Sequence, residues 1–124
     1  MGNLTFSFYY KLNKSVNDVE DISIEIARII QAVFLELYEK RIDIIYPNDL
    51  YINGKKFGGI LVESSVTNNI VNYIIVGIGI NNCKSKLDDS LENIATSYYE
   101  EFGICFDERL FLNHFFEKFE EKYL

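Results

Sequence analysis

Apolar and polar residues alternate strictly over residues 3–11, with Leu4, Phe6, Phe8 and Tyr10 set against Thr5, Ser7 and Tyr9. A period of two sends successive side chains to opposite faces, which predicts a half-buried strand. A polar turn is expected over 13–18. The period then changes. Across 19–40 the apolar positions Ile22, Ile26, Ile29, Ile30, Val33, Phe34 and Leu37 recur at spacings of three and four, so a long amphipathic helix is predicted. Glu20 and Asp21 at its start, and Lys40 and Arg41 at its end, suit the helix dipole.

A short strand over 43–46 must stop at Pro47, which cannot donate to a sheet ladder. Residues 50–52 and 55–63 read as strands joined by Asn53-Gly54, the pair favoured in two-residue type I′ hairpins. A loop over 64–69 leads into the most apolar strand, 70–80. A helix is predicted over 88–101, closed by Gly103, and Asp107 caps a last helix carrying Leu110, Phe111, Phe115 and Phe119. This order predicts an α+β fold: a mainly antiparallel sheet with helices packed on one side. No repeat or linker interrupts residues 1–124, so one domain is expected.

Composition narrows the function classes. Hydrophobic content of 48% and aromatic content of 15% predict a folded globule. Nineteen acidic against 12 basic residues give a net charge of −7, which disfavours phosphate backbones, so no nucleic-acid partner is expected. No apolar run reaches the about 18 residues that span a bilayer, and no basic leader opens the chain. A cytoplasmic protein with no membrane partner is expected. Cys83 and Cys105 lie outside any CxxC or Cys/His cluster and are expected to be free thiols in a reducing compartment. No metal-ligand spacing occurs. His114, the only histidine, sits in the aromatic last helix without a Cys or Ser partner and reads as an ordinary helix residue.

The candidate chemistry lies between residues 46 and 81. Asn48 and Asp49 follow Pro47 and can hold a turn or stand at the lip of a pocket, where Asp49 would orient a lysine or accept a proton. Lys56 lies across the hairpin from Asp49, in a register that the sequence leaves open. Beside it, Gly58-Gly59 removes side chains where a ligand could lie on the backbone. A lysine there is a point charge for a carboxylate or phosphate, and such charge-assisted bonds contribute about 1.5–3 kcal/mol. Gly77 and Gly79 share one face of their strand, leaving Ile78 and Ile80 to the core, and Asn81 ends it with a side chain able to read a sugar or phosphate. Neither a dinucleotide fingerprint nor a phosphate-binding loop is present.

Taken in order, Gly2-Asn3-Leu4-Thr5-Phe6-Ser7, a long helix, Pro47-Asn48-Asp49-Leu50-Tyr51, Lys56-Phe57-Gly58-Gly59-Ile60-Leu61-Val62-Glu63 and Gly77-Ile78-Gly79-Ile80-Asn81 resemble the later part of a biotin protein ligase catalytic domain. The resemblance implies a fold like that of class II aminoacyl-tRNA synthetases and biotin synthetases. It implies a ligase that joins biotin to ATP as biotinyl-5′-adenylate, with Mg²⁺ bridging the nucleotide phosphates, and then passes biotin to a lysine of a biotin carboxyl carrier domain. By similarity Lys56 matches the lysine at the biotin carboxylate and adenylate phosphate, and Asp49 the acidic residue beside it. Gly59, Ile60, Leu61, Gly77 and Gly79 match the biotin lining. Asn48 and Asn81 match the nucleotide side.

Two departures qualify the expectation. Ile45-Tyr46 stands where the family has Lys-Trp. The family's glycine–arginine loop and its Ser-Thr segment have no counterpart in these 124 residues. A partial, incomplete domain with weak or absent ligase activity alone is therefore expected. Two other readings stay open: a non-catalytic module that forms a homodimer through a sheet edge, and a relative of the lipoate-attachment enzymes.

Overall fold

The structure is a computed structural model that describes residues 2–19, 21–84 and 94–124. Five strands form one antiparallel sheet in the order β1-β5-β4-β3-β2, with β1 at Asn3–Ser15, β2 at Asp43–Ile45, β3 at Asp49–Ile52, β4 at Lys55–Thr67 and β5 at Ile70–Asn81. Among the described residues three α-helices accompany it: α1 at Ile22–Tyr38, α2 at Tyr98–Phe102 and α3 at Glu108–Tyr123. The predicted α+β class and antiparallel sheet are the observed ones.

Alternation decides which face the helices cover. On β5 the even residues Ile74, Val76, Ile78 and Ile80 are buried, while Gly77, Gly79 and Asn81 turn to the other face. Phe6 and Phe8 of β1 point to the helix side and meet Phe115, Phe116 and Phe119 of α3 at ring separations of 5.0–6.0 Å. Phe34 of α1 is the hub of the remaining core, fully buried among Phe57, Tyr98, Phe106 and Phe111. Rings in these edge-to-face and tilted arrangements contribute beyond their buried area. The sheet's second face carries no helix among the described residues.

Several local expectations are revised. β1 runs on to Ser15 through a bulge between Lys11 and Lys14, and a 3₁₀ turn at Val16–Asp18 replaces most of the predicted turn. The predicted helix starts and ends inside its expected limits. Asp21 and Glu39 both adopt positive φ, closing α1 at either end, so Asp21, Lys40 and Arg41 fall outside its first and last turns. β4 extends to Thr67, reducing the expected 64–69 loop to Asn68-Asn69, both at positive φ, because this pair of asparagines tolerates the left-handed turn that a hairpin needs. The Asn53-Gly54 hairpin is seen as predicted, with φ of 51° and 77°. Of the helix expected over 88–101, residues 88–93 lie outside the described residues, 94–97 are not helical, and α2 is closed by Gly103 at positive φ. Asp107 caps α3 by accepting from the Leu110 N–H, as predicted. His114 is a partly exposed α3 residue.

Cys83 and Cys105 are bonded as a disulfide, with Cα atoms 5.1 Å apart, in place of the expected free thiols. Their neighbours explain the approach. Asn82 donates from Nδ2 to the Phe106 carbonyl at 3.0 Å and accepts the Phe106 N–H on Oδ1 at 2.9 Å, which draws the two cysteines alongside. No sequence spacing advertises that pairing.

The end of α3 supplies a test of the core. Burial, and then the Glu25 carboxylate, push the Tyr123 phenol from 10.0 up to about 12. Ionisation is thus disfavoured in the folded state, so this contribution to stability is whole below about pH 10 and is lost as pH rises towards about 12. Burial raises the Tyr38 and Tyr98 phenols as well, so a spectrophotometric phenolate titration is expected to show a late phase to which Tyr123 contributes. A Tyr123→Phe variant should reduce that late phase by one tyrosine.

Candidate functional site

The open face of the sheet carries a groove of about 510 Å³. Strand register builds it. Thr5, Gly79, Gly59 and Asp49 stand in one row across four strands, and Ser7, Gly77 and Leu61 form the next. An ideal Cβ placed on Gly79 would meet nothing within 4 Å, and one on Gly77 only the Leu61 carbonyl at 4.0 Å. These glycines therefore leave open space above bare main chain. Leu61 offers the groove an exposed apolar side chain, whereas Ile60 sends its side chain into the core and contributes backbone.

Lys56 reaches this face because of one extra residue. Leu50 pairs with Gly58 and Tyr51 with Lys56, leaving Phe57 as a bulge. Were Phe57 counted in a regular ladder, Lys56 would share the helix side with Gly58, Ile60 and Val62. The bulge turns Lys56 onto the face of Gly59 and Leu61 and drives Phe57 into the core against Phe34. The Lys56 side chain then lies across Gly59, its Cε 3.9 Å from where a Cβ would stand. Its Nζ sits 3.5 Å from Asp49 Oδ1, in a half-exposed pair. Such a pair adds little stability in water, but it holds the amine over the groove. Lys56 is the only basic residue lining the groove among the described residues.

Gly58 does not share this role. It faces the helices, where a Cβ would stand 2.5 Å from the Gly79 carbonyl oxygen and 3.3 Å from Ile80 Cα, so its bareness serves strand packing. Asn48 stands at the lip, its carbonyl accepting the Ile60 N–H at 2.9 Å. Asn81 lies two pairs beyond Gly79, opposite Asn3, and its Nδ2 donates to the Thr96 carbonyl at 3.0 Å. It does not line the groove. Sequence reasoning passed over Thr5 and Ser7, which the β1 alternation had already set on the face away from the core.

The chemistry available is that of an anion-binding groove: one cation, hydroxyls from Thr5 and Ser7, bare backbone for a flat ligand and an apolar wall at Leu61. Asp49 is the only carboxylate lining it among the described residues and is engaged by Lys56. Among the described residues no group of three or more His, Cys, Asp or Glu gathers, so they do not build a protein-held site for a divalent ion. A second cavity of about 460 Å³ beside the start of α1 is lined largely by Val19, Ile22, Pro47, Val62 and Val71 and has no basic residue. Among the described residues no helix is long and apolar enough to cross a membrane.

Comparison with known proteins bears on the family and the fold. The model of the biotin/lipoate A/B protein ligase family matches residues 1–81. The bifunctional ligase/repressor BirA of Bacillus subtilis is 41% identical over 83 residues, covering 65% of this chain and 26% of that protein. The BirA of Escherichia coli is 29% identical over 106 residues, covering 86% of this chain and 33% of that protein. A biotin protein ligase from Aquifex aeolicus, solved in complex with biotin and ATP, superposes with a TM-score of 0.76 at 26% identity, covering 97% of this chain and 49% of the other. The chain thus spans about a quarter to a third of these curated relatives and about half of the solved ligase.

Proposed function

Since this chain belongs to the biotin/lipoate A/B protein ligase family, we propose that its groove holds biotin and the acyl phosphate of biotinyl-5′-adenylate, as part of an ATP-dependent biotin ligase site serving a biotin carboxyl carrier domain. In that reaction a biotin carboxylate oxygen bonds to the α-phosphorus of ATP as the bond to pyrophosphate breaks. A carrier lysine amine then attacks the acyl carbon, AMP leaves, and the amine gives up a proton.

Lys56 is the residue on which this reading rests. Its ammonium, held by Asp49 above Gly59, faces the place where negative charge gathers on the carboxylate and then on the phosphate. A preorganised cation at that point stabilises the developing charge without having to reorient. The bare strands at Gly59, Gly77 and Gly79 admit the ring and tail, with Leu61 as apolar wall. Asn48, at the lip, and Asn81, beyond Gly79, extend this surface on the nucleotide side. A divalent ion would neutralise the nucleotide phosphates and would be held by them, since no group of three or more His, Cys, Asp or Glu gathers among the described residues.

The test is titration calorimetry with a non-hydrolysable biotinyl-adenylate analogue. Lys56→Met should weaken binding by about 10- to 100-fold, the loss of one charge-assisted contact, with the melting temperature unchanged. Equal affinity in both proteins would overturn the reading. The same samples, tested with ATP and a carrier domain, separate binding from turnover; the shared length with the solved ligase makes binding the stronger expectation for this chain. The competing assembly reading draws on β1, a 13-residue strand with one neighbour among the described residues. It predicts a dimer mass in solution with no response to the analogue.

A further inference from the structure

Behind the bulge, β5 no longer pairs with β4, and the segment 94–96 takes its place. The Lys56 N–H donates to the Ile94 carbonyl at 2.7 Å, and the Thr96 N–H donates to the Lys56 carbonyl at 2.8 Å. A short parallel bridge thus pins the main chain of the groove's cation. What pins the segment itself is a carboxylate. Glu101 of α2 accepts from Thr96 Oγ1 at 2.6 Å on one oxygen and from Asn53 Nδ2 at 2.7 Å on the other. It therefore ties the segment to the tip of the hairpin whose strand carries Lys56. Asn81 adds a third tie through the Thr96 carbonyl.

We infer that Glu101 is a positioning residue for Lys56: its carboxylate, bridging Asn53 and Thr96, clamps residues 94–96 against the Lys56 main chain and so holds the ammonium over Gly59. The inference rests on the proposed function for its ligand but on the hydrogen bonds alone for its mechanics. Thr96 is 2% exposed, so a hydroxyl deprived of its acceptor there is left in a dry setting where the loss counts most. Lys56 adjoins the bulged Phe57 and, though paired with Tyr51 on one side, has no β5 partner on the other. An outside clamp is the device that restores rigidity at that point.

Two readouts on the intact chain decide it: amide hydrogen exchange by NMR, and titration with the biotinyl-adenylate analogue and with biotinamide, which has no anionic group. In Glu101→Ala the Lys56 and Thr96 amides are expected to exchange about tenfold faster or more, while the β1–β5 ladder keeps its rates. Analogue affinity should fall about three- to tenfold, the loss of roughly one hydrogen bond's worth of order, with biotinamide affinity at the parental value. Glu101→Gln keeps an acceptor for Asn53 and a polar partner for Thr96, and should restore both. If Glu101→Ala fails to fold, Asn53→Gly removes one arm while keeping the positive φ of the turn, and the same amides are read. Unchanged exchange at Lys56 and Thr96 overturns the clamp. Faster exchange with undiminished analogue binding, or equal weakening of both ligands, overturns the positioning role. A parent chain that does not bind the analogue overturns the proposed function, and the exchange rates still decide the clamp.

Discussion

Gly58→Ala is expected to destabilise the protein by about 3 kcal/mol, at the upper end of what overpacking costs, and to lower its melting temperature by about 10 °C. The added methyl would stand 2.5 Å from the Gly79 carbonyl oxygen and 3.3 Å from Ile80 Cα. Both are main-chain atoms of the adjoining strand. A side chain could rotate away; a carbonyl fixed in the ladder by the Gly58↔Ile80 and Gly59↔Gly79 pairings cannot. β4 and β5 must therefore separate locally, and they form the centre of the sheet. Thermal melts of the variant and parent measure the effect, and a melting temperature matching the parent's would show that the two strands do not meet in this register.

Gly79→Val should act on the ligand instead: analogue binding falls below detection, while the fold holds or gains. Nothing lies within 4 Å of the new Cβ, and a β-branched residue suits a strand better than glycine does. The isopropyl group would fill the groove beside Gly59, above the bare backbone on which a flat ligand rests. Calorimetric titration alongside a melt separates the cases. Binding preserved in a well-folded Gly79→Val protein would remove the groove from consideration as the biotin site. Together the two glycines, diagonal neighbours on adjacent strands and opposite in facing, distinguish a packing requirement from a ligand requirement within one pair of strands.

Much of this arrangement is legible in the order of residues. The α1 stripe, the Asn53-Gly54 turn, the facing of Gly77 and Gly79, and the Asp107 cap are local matters, each decided by a few neighbouring side chains. So is the proximity of Asp49 and Lys56, since a tight hairpin leaves them little room to part. What escaped was non-local. The side on which Lys56 emerges depends on whether Phe57 is counted in the ladder, and only its burial against Phe34, itself a long-range contact, settles that. The same holds for Gly58, which reads like its neighbour Gly59 but faces the other way. The Cys83–Cys105 bond depends on Asn82 finding Phe106 across the chain, and the role of Glu101 on a short helix that has no strong periodic signature of its own.

Deleting Phe57 would leave Lys56 next to Gly58, so plain alternation along β4 would keep the ammonium on the groove face while a phenyl group was lost from the interior. The inserted ring therefore serves the core, and the lysine keeps its side only because that ring stands outside the ladder. In aligned relatives, a gap opposite Phe57 is expected to leave the lysine in place, so that the two positions vary independently.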